Sequence, residues 1–197
     1  MGKRYDERGG AARIRFYVKG NFMEEIVNKV AQSGLIEVNL EDFFDNAERV
    51  VVDMKDYLTE IPVGNTLAYM LKEKPFREKL NLLEINQFEN KLVAISCSVD
   101  AIIPTWAYML LSLTLTTKAK RVIVGNIDTL ENLLFNEALN KINPHDFLDA
   151  KVVIKGCSDH AVPLNAYIQI ATKLQPFVKS LMYGEPCSTV PLYKRPK

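Results

Sequence analysis

The chain has 197 residues, 48% of them hydrophobic and 25% charged, the mixture of an ordinary globular protein long enough to bury one substantial core. Its formal net charge of +1 gives no pull toward nucleic acid, and its longest uncharged stretch, Ala101 to Thr117, falls short of the roughly 20 apolar residues a membrane-spanning helix needs, so neither partner is expected. Three cysteines, odd in number and far apart at Cys97, Cys157 and Cys187, exclude the dense even framework of a small secreted domain; with no apolar signal peptide ahead of them, they predict a reducing cytoplasm.

Residues 1–22 carry six Lys/Arg against two Asp/Glu, without strand or helix period, and are interrupted by Gly9-Gly10-Ala11-Ala12. They are expected to be a disordered extension, with Met23 as the natural start and residues 23–197 as a single α/β domain. Met23 to Ser33 places Ile26, Val27 and Val30 on one face and predicts a helix. Leu35 to Leu40 alternates apolar with polar and predicts a strand, followed by an acidic loop through Asn46 and a second strand over Arg49 to Met54. Leu71 to Leu83 predicts a helix with Pro75 in its first turn.

From Leu92 on, the order is regular. Leu92 to Cys97 predicts a buried strand, Pro104 to Thr116 a helix, Arg121 to Gly125 a strand, Leu130 to Asn140 a helix, Lys151 to Lys155 a strand, Leu164 to Leu174 a helix, and Val178 to Tyr183 a last strand. Alternation of this kind implies right-handed crossovers, hence a three-layer α/β fold, its mainly parallel sheet covered by helices on both faces. No internal repeat is evident at this level. Gly125-Asn126-Ile127-Asp128 is a strand-to-helix turn with an N-cap, and neither Gly-rich phosphate motif occurs.

Open parallel sheets bind ligands outside the carboxyl ends of their strands. All three cysteines fall there: Cys97 ends one strand, Cys157 follows another through Gly156, and Cys187 lies beyond the last. Asp100, Asp159, His160 and Glu185 accompany them, and together these seven residues form the candidate site. Thiolate and imidazole suit zinc, iron or an iron-sulfur cluster, which makes Cys157, Cys187, His160 and Cys97 the candidate metal ligands. A bland reading stands beside this one: Cys97 as a buried small hydrophobe, Cys157 packed under its glycine, His160 a loop residue. Thiol chemistry is an alternative, with Cys187 or Cys157 as nucleophile and His160 as base. A scaffold that docks a partner through the Glu185 to Lys194 loop is another. His145 reads as a turn residue, and Trp106 and Tyr108 as helix packing.

The segments from Asp100 to Leu111 (containing PTWAYMLL), Val153 to Asp159 (VIKGCSD) and Tyr183 to Lys194 (YGEPCSTVPLYK) resemble a bacterial domain-of-unknown-function family. The resemblance covers residues 23–197. It implies no established activity; its genes neighbour those of the sulfur-mobilising iron-sulfur assembly system, which implies a role close to cluster assembly and iron-sulfur assembly proteins as partners. Position 160 is not among those the family pattern fixes.

Overall fold

The structure is a computed structural model that describes residues 35–156, 159–185 and 188–196, and before them only four two-residue strands. These are β1 (Arg13–Ile14), β2 (Tyr17–Val18), β3 (Asn21–Phe22) and β4 (Ile26–Val27), with β1 antiparallel to β4 and β2 to β3. The expected extension over residues 1–22 otherwise lies outside the described residues. Of the helix expected over Met23 to Ser33, the described part is β4, a strand, in keeping with the β-branched pair Ile26-Val27.

The chain continues through β5 (Leu35–Asn39), β6 (Arg49–Asp53), β7 (Thr59–Val63), β8 (Thr66–Met70), α1 (Glu73–Asn81), β9 (Leu92–Ser96), α2 (Thr105–Leu115) and β10 (Arg121–Val124). Then follow α3 (Ile127–Asn140), β11 (Lys151–Lys155), α4 (Leu164–Leu174), β12 (Ser180–Glu185) and β13 (Ser188–Lys194). The α/β class expected from the alternation is the one the chain adopts, but its parallel strands divide between two sheets rather than forming one. The chain separates into two compact units: Met1–Asp45 with Asn132–Lys197, and Asn46–Glu131. In the second unit β9 lies between β6 and β10, parallel to both; in the first, β11 lies between β5 and β12, also parallel, and β13 adds an antiparallel edge. None of the described helices is long and apolar enough to cross a membrane.

Each unit has its own core. Val52, Val93 and Ile95 pack with Phe76 and Leu80 of α1 and with Ala107, Leu111 and Leu115 of α2. Val38, Val152 and Ile154 pack with Phe135 and Leu139 of α3 and with Ala166, Ile170 and Leu174 of α4. The two sets are the same set. Residue for residue, Phe76 matches Phe135, Leu80 Leu139, Val93 Val152, Ile95 Ile154, Ala107 Ala166 and Leu115 Leu174, each pair 59 positions apart.

The correspondence extends to the backbone. α1, β9 and α2 recur 59 positions later as the last nine residues of α3, then β11 and α4, without insertion or deletion. Asn90 and Asp149, at matching positions, both take the left-handed conformation, with φ of 60° and 57°. Their amides bond to matching carbonyls, Lys118 O at 3.1 Å and Phe177 O at 2.9 Å. Pro104 and Pro163 precede the matching helices in the same extended conformation. The first strand of each unit is also a copy, 14 positions apart: β5 and β6 each end in a polar residue whose side chain accepts from the amide two residues on, Asn39 from Glu41 and Asp53 from Lys55.

The absence of a repeat in the sequence reading is therefore corrected: the protein is two copies of a β-α-β-α-β unit. Buried apolar identities hold the copies alike while the surfaces have diverged, and the first strand of the C-terminal copy stands ahead of the whole other copy, so no single offset aligns them. From β5 onward, the β7-β8 hairpin around Gly64-Asn65 and the strand β13 each occur in one copy without a counterpart among the described residues of the other. The segment expected to be a loop from Glu185 to Lys194 is thus mostly strand. Pro191 fits there because β13 is an edge and its register shifts opposite Leu181 and Met182.

Gly125 and Gly184 also match, at φ of 145° and 112°. A Cβ on Gly184 would stand 2.8 Å from Ser188 O, whereas one on Gly64 would meet nothing within 4 Å. Gly184→Ala is expected to cost about 2 kcal/mol and Gly64→Ala about 1 or less, read as urea midpoints with unchanged slopes.

Candidate functional site

Two copies of one backbone present two carboxyl edges. In the Asn46–Glu131 unit the edge is simple. Asp53, at the end of β6, accepts the Lys55 amide at 2.9 Å and the Ser98 amide at 3.0 Å through one carboxylate oxygen. Burial works against its charge, yet the Ser98 hydroxyl and these two amides hold its carboxyl below the ordinary value. Cys97, half-buried, is packed against the unit's core and donates its thiol to Val99 O at 3.2 Å. Asp100 is exposed.

The other edge carries charge. Lys155, the last residue of β11, reaches Glu37 Oε1 of β5 at 2.8 Å and Glu185 Oε2 of β12 at 3.5 Å. Register explains the meeting: Lys155 pairs with Asn39, which lies on the same face of β5 as Glu37, and Ile154 pairs with Tyr183, two residues before Glu185. Lys155 and Glu37 are largely buried, their side chains 16% and 9% exposed, and Glu185 closes the group from solvent at 56%. Glu37 Oε2 is buried without a hydrogen-bond partner among the described residues.

Lys155 is held above its ordinary pKa, first by the hydrogen bond it donates to Glu37, with burial opposing and the charges of Glu37 and Glu185 adding. Beside this group, Glu41 turns its Oε1 to the amides of Asp159, at 2.9 Å, and His160, at 3.4 Å, while the His160 ring stacks on Phe44 at 4.0 Å, nearly parallel. A single acidic side chain thereby anchors the segment that leaves β11.

Comparison of the copies separates what the fold needs from what it does not. The residues matching Glu37, Lys155 and Glu185 are Val51, Ser96 and Asn126. Asn126 caps α3, its side chain accepting the Thr129 amide at 2.8 Å, as the turn signal there implies. The second copy thus builds the same three parallel strands with no charged side chain at these three positions; its own largely buried pair, Arg49 with Glu131 at 2.6 Å, sits at the first residue of β6 instead. A buried lysine between two carboxylates is a cost of desolvation that this backbone does not require, and perturbed charged groups at a strand edge concentrate at functional sites.

The candidate residues fall into three groups. Glu185 belongs to the charged group, and Asp159 and His160 belong to the segment anchored by Glu41. Cys97 and Asp100 follow β9, whose neighbours in its sheet are β6 and β10. Cys157 and Cys187 lie outside the described residues; in sequence each stands two residues beyond a member of the charged group, Lys155 and Glu185, and Cys187 stands between the paired residues Glu185 and Ser188. Among the described residues no three His, Cys, Asp or Glu side chains cluster to hold a metal ion. Lys155, Glu37 and Glu41 were missed by the sequence reading. Period-two alternation puts Glu37 on the wet face of β5, and nothing local distinguishes a wet face from a covered one.

His145 and the aromatic pair behave as expected. The His145 amide is capped by Asn143 in a 3-10 turn and its ring meets Phe177 edge-on, while Tyr108 packs against the core and Trp106 meets Phe76 edge-on at 5.7 Å.

Lys155→Met is expected to cost about 3 kcal/mol, because it leaves Glu37 buried and unpaired, and adding Glu37→Gln is expected to recover most of the loss. A lysine raised in the folded state stabilises fully below its unfolded pKa of about 10.5 and loses that contribution as pH rises through its folded value. Urea unfolding is therefore expected to show stability falling above about pH 10.5, a fall reduced in Lys155→Met.

The family model that matches the chain, over residues 24–195, is described as a protein of unknown function, DUF2480. No curated protein and no solved structure matches it.

Proposed function

We propose that the chain, which belongs to this family of unknown function, serves as an accessory factor of iron-sulfur or metal metabolism, binding a thiophilic metal or cluster, or handling sulfur, through Cys157 and Cys187. The observation that carries this reading is the contact of Lys155 with Glu185 at 3.5 Å across the adjacent parallel strands β11 and β12. In sequence each cysteine follows one of these two residues by two positions, and neighbouring strand ends lie about 5 Å apart in a sheet.

The surroundings suit the chemistry. With the two carboxylates of Glu37 and Glu185 against the one ammonium of Lys155, the group is net negative, a field that favours a metal cation at this edge. Glu41 holds the amides of Asp159 and His160, which follow Cys157 and Ser158 in sequence. A metal at this edge would be held by the two cysteines, with Glu185 as the nearest carboxylate. The His160 ring stacks on Phe44 through its face, which leaves its in-plane nitrogens able to serve as a further ligand. The partners implied are proteins that supply or accept iron or sulfur.

Protein purified without oxygen is expected to carry iron or zinc at about one site per chain, with ultraviolet-visible absorption above 300 nm if iron or a cluster is bound. Cys157→Ser and Cys187→Ser are each expected to abolish retention, while Cys97→Ser leaves it intact. Metal-free protein with no sulfane sulfur on either thiol, or retention that survives both changes, would refute the reading.

A further inference from the structure

Because the two units share one backbone, each is a control for the other's surface. On the outer face of α3 and α4 the contacts are amides. Asn165 donates to Asn132 at 2.8 Å, and Gln169 donates to Asn136 at 2.8 Å and to Asn140 at 3.1 Å. At the matching positions of α1 and α2 stand Trp106 for Asn165, Leu110 for Gln169, Glu73 for Asn132 and Arg77 for Asn136, and Leu113 replaces Thr172. Together with Met109 these residues line an open groove of about 410 Å³. Met109 is 60% and Leu113 67% exposed. At the Met109 position the other copy also exposes an apolar side chain, Ile168 at 57%, but the polar side chains at the other three positions show that the backbone folds without Trp106, Leu110 and Leu113. The contiguous apolar row, found on one copy alone, is a feature of the surface, and contiguous exposed apolar side chains mark interaction sites.

The groove also says what it accepts. Its two charges neutralise each other, Arg77 Nε lying 2.9 Å from Glu73 Oε1 and its guanidinium over the Trp106 ring at 5.8 Å, which leaves no net charge to recruit an acidic or basic partner. Trp106, Met109, Leu110 and Leu113 recur at three- and four-residue spacing, the seam by which one helix packs on another. An uncharged apolar helix is therefore the fitting occupant. The chain displays such a helix at the groove itself, since α2, from Thr105 to Leu115, contains no charged residue. The geometry points to a symmetric homodimer in which α2 of each copy packs antiparallel in the groove of the other, with Met109, at the middle of the seam, nearest the two-fold axis.

A seam this short sits at the small end of stable interfaces, so the dissociation constant is expected in the micromolar range. Sedimentation of the full chain over a dilution series tests it, and Trp106, the chain's one tryptophan, reports on the groove directly. The expected result is a dimer whose Trp106 emission moves to the red on dilution. Met109→Glu and Met109→Lys alone are expected to weaken association at least tenfold with unchanged circular dichroism, and an equimolar mixture of the two to restore it. Ile168→Glu, at the position matching Met109 on the other unit, is expected to leave association unchanged. A wild-type chain monomeric at all concentrations would overturn the proposal, as would a dimer indifferent to the Met109 changes or a mixture that fails to re-associate.

Discussion

The pairing of β5 with β11 is the constraint on which the rest of the C-terminal unit depends. Five residues from Leu35 to Asn39 run parallel to Lys151–Lys155, joined across the entire other unit. Without them β11 is an edge strand with Val152, Val153 and Ile154 and a row of unsatisfied backbone groups on one side; with them it is a central strand. The same pairing delivers Glu37 to Lys155 and places Glu41 where it can hold the segment after Gly156. The Asn46–Glu131 unit carries no such long-range requirement, since β6, β9 and β10 lie in one continuous stretch. Loop-closure entropy therefore weighs more on the copy that pairs Leu35 with Lys151 than on the one that pairs Arg49 with Leu92.

Duplication gives this protein an internal reference that a single domain lacks. Where the copies agree, as at Phe76 and Phe135, Ile95 and Ile154, or the left-handed Asn90 and Asp149, the residue answers to the backbone. Where they differ, the backbone is indifferent and another demand decides. Two differences stand out because each runs against stability or solubility: a charged group largely buried at one carboxyl edge, and apolar side chains exposed on the other unit's outer helices. The cysteines differ too. The position matching Cys157 is Ser98, and Cys97 matches Gly156, so the two thiols stand one residue out of phase and are not copies of each other.

Much of the fold was legible because its signals are local. Strands such as Val93 to Ile95 and Val152 to Ile154 are unbroken apolar runs, and α1 to α4 carry apolar residues at helical spacing, with Pro75 in the first turn of α1 as its fixed φ allows. The hairpin was legible as well and was missed: Gly64-Asn65 between Val63 and Thr66 is a two-residue turn signal. What was not legible depends on distant pairing. A parallel run reads alike in one sheet or two, and the transposed first strand hides the repeat. At the site, Glu185 was found by its place at a strand end, whereas Glu37 and Lys155 acquire their meaning only when β5 is laid beside β11.

The charged group itself gives the argument its direction. Three strands of this backbone are stable with Val51 and Ser96 where the other copy has Glu37 and Lys155, so the ion pair is not what holds the sheet. It can be removed as a pair at little cost and broken singly only at large cost, since one buried charge without the other has no compensation. A sequence that keeps such a pair keeps both members together or neither, and its use must lie in what the ammonium and the carboxylates do to groups beside them. In sequence, the second residue beyond each of these two strand ends is a cysteine.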